Sequence, residues 1–176
     1  AKIIATELKK VSNEFFVAGL IHDIRKLVIY ITLPNEFLKL VKATRHLKLK
    51  FMAFETEKRV IGMTHDEVGM RLLKKWMFPE SLLTAIGFHH RLQETEKKSL
   101  LPVVVHIADI FAHLYEMQTV VEVDDPLKTE TLFPDIIKLA QSYEIEWDES
   151  DLNRLQQSLT ESIEKEAVAF SLFFGN

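Results

Sequence analysis

Ala18-Gly19-Leu20-Ile21-His22-Asp23-Ile24 sets an imidazole and a carboxylate side by side in a run that is otherwise apolar. Further groups of the same kind follow in ordered settings: His65, the pair His89-His90, and Asp109. Apolar residues surround most of them, which puts them where hydrophobic pattern predicts helix interiors. Imidazoles and carboxylates arriving one or two per helix are what a mono- or dinuclear metal site inside a helical bundle requires. The fold class expected is all-α.

Outward from that stretch the chain reads as helix nearly throughout. Ile4, Leu8, Val11 and Phe15 recur at spacings of four, three and four, one stripe over 3–17, and a second helix is expected from Glu14 to Ile31 around His22-Asp23. Asn35, after Leu33-Pro34, can cap a helix running through Phe37, Leu38 and Val41 to about His46. Thr64-His65-Asp66-Glu67 is a capping box, so a helix starts at His65 and runs to about Met77. Pro79 suits the first turn of the next helix, which carries Leu82, Leu83 and Ile86 and ends in His89-His90. Successive residues lie about 100° apart around a helix axis, so these two histidines serve two neighbouring metals or one stands outside the ligand set. From Leu101 to about Met117 an apolar helix puts His106, Asp109 and His113 on one face. Asp109 is the carboxylate assigned to the metal, and His106 and His113 read as packing or partner residues. Trp76 reads as core at a helix end, Trp147 as a packing residue in a loop, and His46 as surface. Between Thr119 and Thr131 the chain turns acidic and loses its period, with Asp124-Asp125-Pro126 as a breaker. A helical core over 1–118 and a C-terminal helical extension over 119–176, packed on it, are therefore expected. Its two helices are Phe133–Tyr143 and Ser150–Phe170, and the chain ends in the apolar run Phe170–Phe174.

Composition narrows the chemistry. With 47% apolar and 27% charged residues in 176, this is neither a disordered nor a membrane composition. No apolar run approaches the roughly 20 residues of a spanning helix. A net charge of −4 offers no basic footprint for a nucleic-acid backbone. Arg45, Lys48, Lys50, Lys58 and Arg59 do cluster, but Glu55 and Glu57 intervene, and the group reads as a solvated face. The absence of cysteine excludes disulfides and thiolate ligands and leaves His and carboxylate as the strong metal donors. AKIIATELKK has neither the apolar core nor the cleavage site of a signal peptide and already reads as helix. A cytoplasmic protein, and the later part of a longer polypeptide, is the expectation.

Four stretches together resemble the HDOD family, a branch of the HD superfamily of metal-dependent phosphohydrolases. They are Ala18–Ile24, Gly62-Met63-Thr64-His65-Asp66-Glu67-Val68-Gly69, Lys75-Trp76-Met77-Phe78-Pro79 and Ala85-Ile86-Gly87-Phe88-His89-His90. The likeness covers roughly residues 1–118, and the order and spacing of the motifs carry it. It implies an HD-type helical bundle of bacterial origin, with a role in signalling or regulation. Under the same resemblance His22, Asp23, His65, His89, His90 and Asp109 hold one or two divalent ions (Mn, Fe, Ni, Mg or Zn), with Asp23 able to bridge. Lys26 and Arg25 then stabilise phosphate charge, and Lys26 is the one catalytic candidate. With no ion, the same residues persist as a buried hydrogen-bond network.

The departures from the pattern set the functional expectation. HD-GYP relatives, which hydrolyse cyclic di-GMP, carry a further His one long helix before the His-Asp pair, whereas residues 1–21 contain none. By spacing it would lie just before Ala1. The Gly-Tyr-Pro loop of those relatives is absent from Arg91–Lys98, and Arg25 stands where the motif glycine usually follows His-Asp-Ile. The resemblance therefore implies a non-catalytic regulatory module acting through protein interaction or ligand sensing, with a signalling partner, a second copy or a nucleotide as its counterpart. The alternative is a metal-dependent phosphohydrolase or phosphodiesterase acting on a nucleotide such as a cyclic dinucleotide.

Overall fold

A computed structural model describes the backbone of residues 1–10, 12–44, 54–95, 99–119 and 129–174, with side chains except at 54, 117–119, 129–131 and 167–174. Readings placed on Val11, Arg45, His46, Lys48, Lys50 and Asp124-Asp125-Pro126, and on the side chains of Phe170–Phe174, lie outside the described residues. The described elements are helical: α1 (Lys2–Glu7), α2 (Asn13–Ile21), α3 (Ile24–Thr32), α4 (Pro34–Thr44), α5 (Phe54–Ile61), α6 (His65–Lys75), α7 (Glu80–Phe88), α8 (Leu100–Thr119), α9 (Thr129–Gln141) and α10 (Glu149–Phe174). After His90 the chain makes a 3-10 turn at Leu92–Glu94. Among the described residues no helix is long and apolar enough to cross a membrane.

The most apolar helix is the central one. Val103, Val104, Val105, Ile107 and Leu114 of α8 are all but inaccessible, because neighbours cover α8 on nearly every side. Ile4 and Ala5 of α1, Phe15 and Ala18 of α2, Leu82 and Ala85 of α7, Phe133, Ile136 and Ala140 of α9, and Leu152 and Leu155 of α10 close around it. Trp147 joins that core from the α9–α10 connection, as expected of it. A second, smaller cluster of Leu73, Leu83 and Ile86 locks α6 to α7. That pair closes tightly because two glycines lie in it. A Cβ on Gly69 would meet Ile86 Cγ2 at 3.0 Å, and one on Gly87 would meet Met70 Sδ at 2.8 Å. The close approach brings the first turn of α6, with His65, beside the end of α7, with His89 and His90.

Helix ends are where expectation and structure part. The helix read over 3–17 stops at Glu7. Lys9 turns left-handed at φ 54°, Lys10 N–H donates to Ala5 O, and Lys9 N–H donates to Thr6 O, the Schellman arrangement. Ser12 Oγ then starts α2 by accepting from Glu14 N–H. The same stop recurs at Met77 (φ 57°) after α6 and at Glu144 (φ 61°) after α9. None of the three is glycine, so the usual residue signal is missing. The helix expected from Glu14 to Ile31 is broken at His22-Asp23 into α2 and α3. Pro34, rather than a cap at Asn35, opens α4, with the Leu33 carbonyl accepting from Phe37 N–H. Pro79 stands just before α7 instead of inside its first turn. Trp76, read as core, is 51% exposed at the C-cap of α6, beyond the last residue that the helix packs on α7. The capping box at Thr64 and Glu67 forms as expected.

Met77 is 90% exposed, so its side chain contributes little packing to offset its left-handed backbone. Met77→Gly is expected to stabilise the fold by about 0.5–1 kcal/mol, the strain released less the entropy of a more flexible unfolded chain. Chemical denaturation of the two proteins checks it; a destabilised variant would show that the Met77 side chain packs after all.

Candidate metal centre

His22 and Asp23 fill the two-residue junction between α2 and α3. The break lets neighbouring side chains converge, His22 Nε2 lying 3.6 Å from Asp23 Oδ2. His22 Nδ1 donates to the Gly19 carbonyl at 2.8 Å, which leaves Nε2 of the neutral ring as an acceptor. That acceptor faces a second one, Asp109 Oδ1 on α8, at 3.2 Å. Two acceptors at this distance call for a proton on the ring or a cation shared between them.

From α7 come two more imidazoles. His89, fully buried, donates from Nδ1 to the Ile86 carbonyl at 2.9 Å, and its Nε2 has no hydrogen-bond partner. Burial, then the Arg25 guanidinium, push its pKa down to about 3, so the ring is neutral with a lone pair inside the cluster. Burial and the neighbouring His89 hold His90 still lower. Its Nε2 lies 3.9 Å from Asp109 Oδ2, and the two rings are 3.9 Å apart.

His65, first residue of α6, is clamped from both ends. Glu57 of α5 accepts from its backbone N–H at 2.8 Å and sits 2.6 Å from Nδ1, while Asp66 Oδ1 lies 2.7 Å from Nε2. Asp66 is fully buried, with Arg91 Nε 3.5 Å from its other oxygen. Burial opposes its ionisation, but His65 and more distant cations outweigh that and lower its pKa. On α8, His113 Nδ1 lies 3.1 Å from Asp109 Oδ1. Burial disfavours charge on both, yet their attraction prevails: the His113 pKa rises, and Asp109, helped by His22, falls well below the usual carboxylate range.

Asp23 is the most heavily engaged carboxylate. Arg25 Nη2 lies 2.5 Å from Oδ1 and Lys26 Nζ 2.5 Å from Oδ2. Burial works against its charge, and Arg25, His22 and Lys26 overcome that, holding its pKa far down. Arg25 is fully buried, its Nη1 donating to the His22 carbonyl. The expectation that Arg25 meets phosphate is therefore corrected: the guanidinium is sealed inside the protein. Lys26, 38% exposed, remains at the edge of the site.

The structure thus brings His22, Asp23, His65, His89, His90 and Asp109 into one cluster. They form two potential ligand sets, His65/His89/His90 and His22/Asp23/Asp109, whose donor atoms lie within 4.8 Å of one another in each. The donor chemistry fits a divalent ion, above all at the neutral His89 Nε2, whose other nitrogen is fixed by a backbone carbonyl as in metal-bound histidines. Glu57, Asp66 and His113 belong to the same network and were not assigned to it from sequence. His113 stands four residues after Asp109 on one helix, a spacing that could have revealed it. Glu57 sits in a mixed charge run on another helix, and nothing in its local sequence marks it.

A cleft of about 560 Å³ opens onto the cluster. His22, Asp23, Lys26, Glu57, His65, Asp109 and His113 line its polar end, and Ile29, Phe37, Leu40, Val41 and Ala112 its apolar walls.

An all-helical bundle with histidines and aspartates gathered at the α2–α3 junction and the α6–α7 ends defines an HD-type module. Residues 1–92 match the family model of the HDOD domain, and the chain belongs to that family. Asp109 lies beyond the matched stretch. The chain is 28% identical over 91 residues to an uncharacterized protein of Treponema pallidum (strain Nichols), a match covering 51% of this chain and 17% of that one. Its fold is similar to the crystal structure of a candidate phosphohydrolase from Shewanella amazonensis SB2B. The TM-score is 0.62 at 20% identity, over 89% of this chain and 53% of the other. The chain thus spans about half of the Shewanella protein and a smaller share of the Treponema one.

Proposed function

We propose that this chain is a regulatory HD module that binds a divalent ion and senses an anionic, phosphorylated ligand without turning it over. The state reaches a signalling partner or a second copy of the chain. The observation that carries this reading is Asp23, both of whose oxygens are held at 2.5 Å by the protein's own cations, Arg25 and Lys26. The carboxylate best suited to bridge two ions is thus committed to the protein's own side chains. His89, whose Nε2 has no hydrogen-bond partner, would hold the ion with His90 and, in exchange for its contact with Asp66, His65; when bound the ion would supply Lewis acidity toward phosphoryl oxygen and water. Lys26 at the cleft edge meets the ligand's negative charge, while Phe37, Leu40 and Val41 take its apolar or aromatic body, a description that suits a nucleotide. A cytoplasmic setting away from membrane and nucleic acid belongs to the same reading, as does a division into a core over 1–118 and an extension over 119–176.

The second reading, a nucleotide phosphohydrolase, is favoured by the cleft reaching His22, Asp23, His65 and Asp109 directly. Elemental mass spectrometry of the purified chain, with bis(p-nitrophenyl) phosphate and cyclic di-GMP as substrates in Mn²⁺, separates the two. The expected result is near-stoichiometric metal, lost in a folded His89→Ala variant, and no hydrolysis above buffer. Metal-dependent hydrolysis abolished by His89→Ala would establish the phosphohydrolase instead.

A further inference from the structure

Asp23, Glu57, Asp66 and Asp109 gather in a region where Glu57, Asp66 and Asp109 are nearly or fully buried. So dense a group of carboxylates has to be met by positive charge, since an unpaired buried charge is costly. The one Arg or Lys fully buried among the described residues is Arg25. It reaches Asp23 Oδ1 through Nη2 and the His22 carbonyl through Nη1, and feels the fields of Asp66, Glu57 and Asp109 as well. Its stem packs beside Gly69 of α6, where a Cβ would stand in ordinary contact, 3.5 Å from Arg25 Cδ. Held in a helix and packed on all sides, this cation cannot dissociate as an ion can.

We propose that the Arg25 guanidinium is the resident cation of the His22/Asp23/Asp109 set, filling by covalent attachment the role that a second divalent ion would otherwise take. The chain is thereby restricted to one exchangeable ion, at His65/His89/His90. The guanidinium competes with an incoming ion for Asp23 directly and opposes it by charge. It is a positioning and selectivity residue: it touches no ligand and sets how many ions the site accepts.

The inference rests on the reading of His65/His89/His90 as an ion site, and titration with Mn²⁺ alone, followed by calorimetry and by the spectroscopic signal of free Mn²⁺, tests the two separately. Arg25→Met removes the charge while keeping much of the volume; Arg25→Lys keeps a charge. Wild type and Arg25→Lys are expected to take one Mn²⁺ per chain, and Arg25→Met a second, with an affinity at least tenfold above any second event in wild type. Circular dichroism verifies that each variant is folded. An Arg25→Met protein that still takes one ion with unchanged affinity overturns the inference and leaves the ion reading standing. A wild type that takes none beside an Arg25→Met that takes one defeats the ion reading and supports the inference. Equal gains in Arg25→Met and Arg25→Lys overturn it too, since packing rather than charge would be responsible. If Arg25→Met does not fold, Arg25→Gln carries the same comparison.

Discussion

Asp109→Ala is expected to destabilise the metal-free fold by about 3–5 kcal/mol, the range for removing one member of a buried charged pair. Asp109 is 5% exposed and serves three imidazoles: His22 at 3.2 Å, His113 at 3.1 Å and His90 at 3.9 Å. Its loss withdraws the charge that raises the His113 pKa and leaves His22 Nε2 facing only Asp23. It also opens a small gap at the polar end of the cleft. Asp109→Asn, which keeps the shape and one acceptor, should cost less than half as much. Urea unfolding in a chelator gives both numbers. A loss under 1 kcal/mol for the alanine variant would mean that water replaces the carboxylate freely and that the cluster is not a coupled network.

The second large effect is a loss of stability in mild acid. His89 is neutral in the folded protein down to about pH 3, whereas an unfolded histidine takes up its proton near 6.5. Between those values the unfolded chain binds more protons, so stability falls as pH falls, by about 1.4 kcal/mol per unit and about 2 kcal/mol by pH 5. His90 acts in the same direction. His113 has the opposite sign: its raised pKa contributes stability below 6.5 that is lost as pH climbs through the folded value. Asp23 and Asp109, with lowered values, keep their contribution through this window and lose it only in stronger acid. The metal-free chain should therefore be most stable near neutrality. Denaturant titrations from pH 7 to pH 5 check the slope, and His89→Gln should flatten it. A flat wild-type profile would contradict the buried neutral state of His89.

The all-helical class and the residues of the cluster were legible because they recur in motifs: His22-Asp23, the capping box before His65, and His89-His90 after an apolar helix. What escaped was set by tertiary contact or by unusual backbone. Lys9 ends α1 in a conformation normally marked by glycine, so that boundary carried no residue signal, whereas the similar stops near Met77 and Glu144 fell within two residues of the ends read from the sequence. Glu57 reaches His65 only because α5 packs beside the start of α6, and its surroundings in the chain are those of a solvated helix. Arg25 looked like a substrate-facing cation from its place beside Lys26. Three-dimensional packing instead turned one neighbour inward to full burial and left the other at the cleft edge.

The paired glycines of α6 and α7 have a mechanical meaning. The two helices form tweezers, hinged at the exposed turn of Trp76 and Met77, whose open tips carry His65 on one arm and His89-His90 on the other. Gly69 and Gly87 hold the arms so close that a slide of one along the other would drive Ile86 or Met70 into backbone. Whatever ties the tips together is therefore felt along both arms as stiffness rather than as displacement. Amide hydrogen exchange along Val68–Leu73 and Leu82–Ile86 would register the tie without any change of shape.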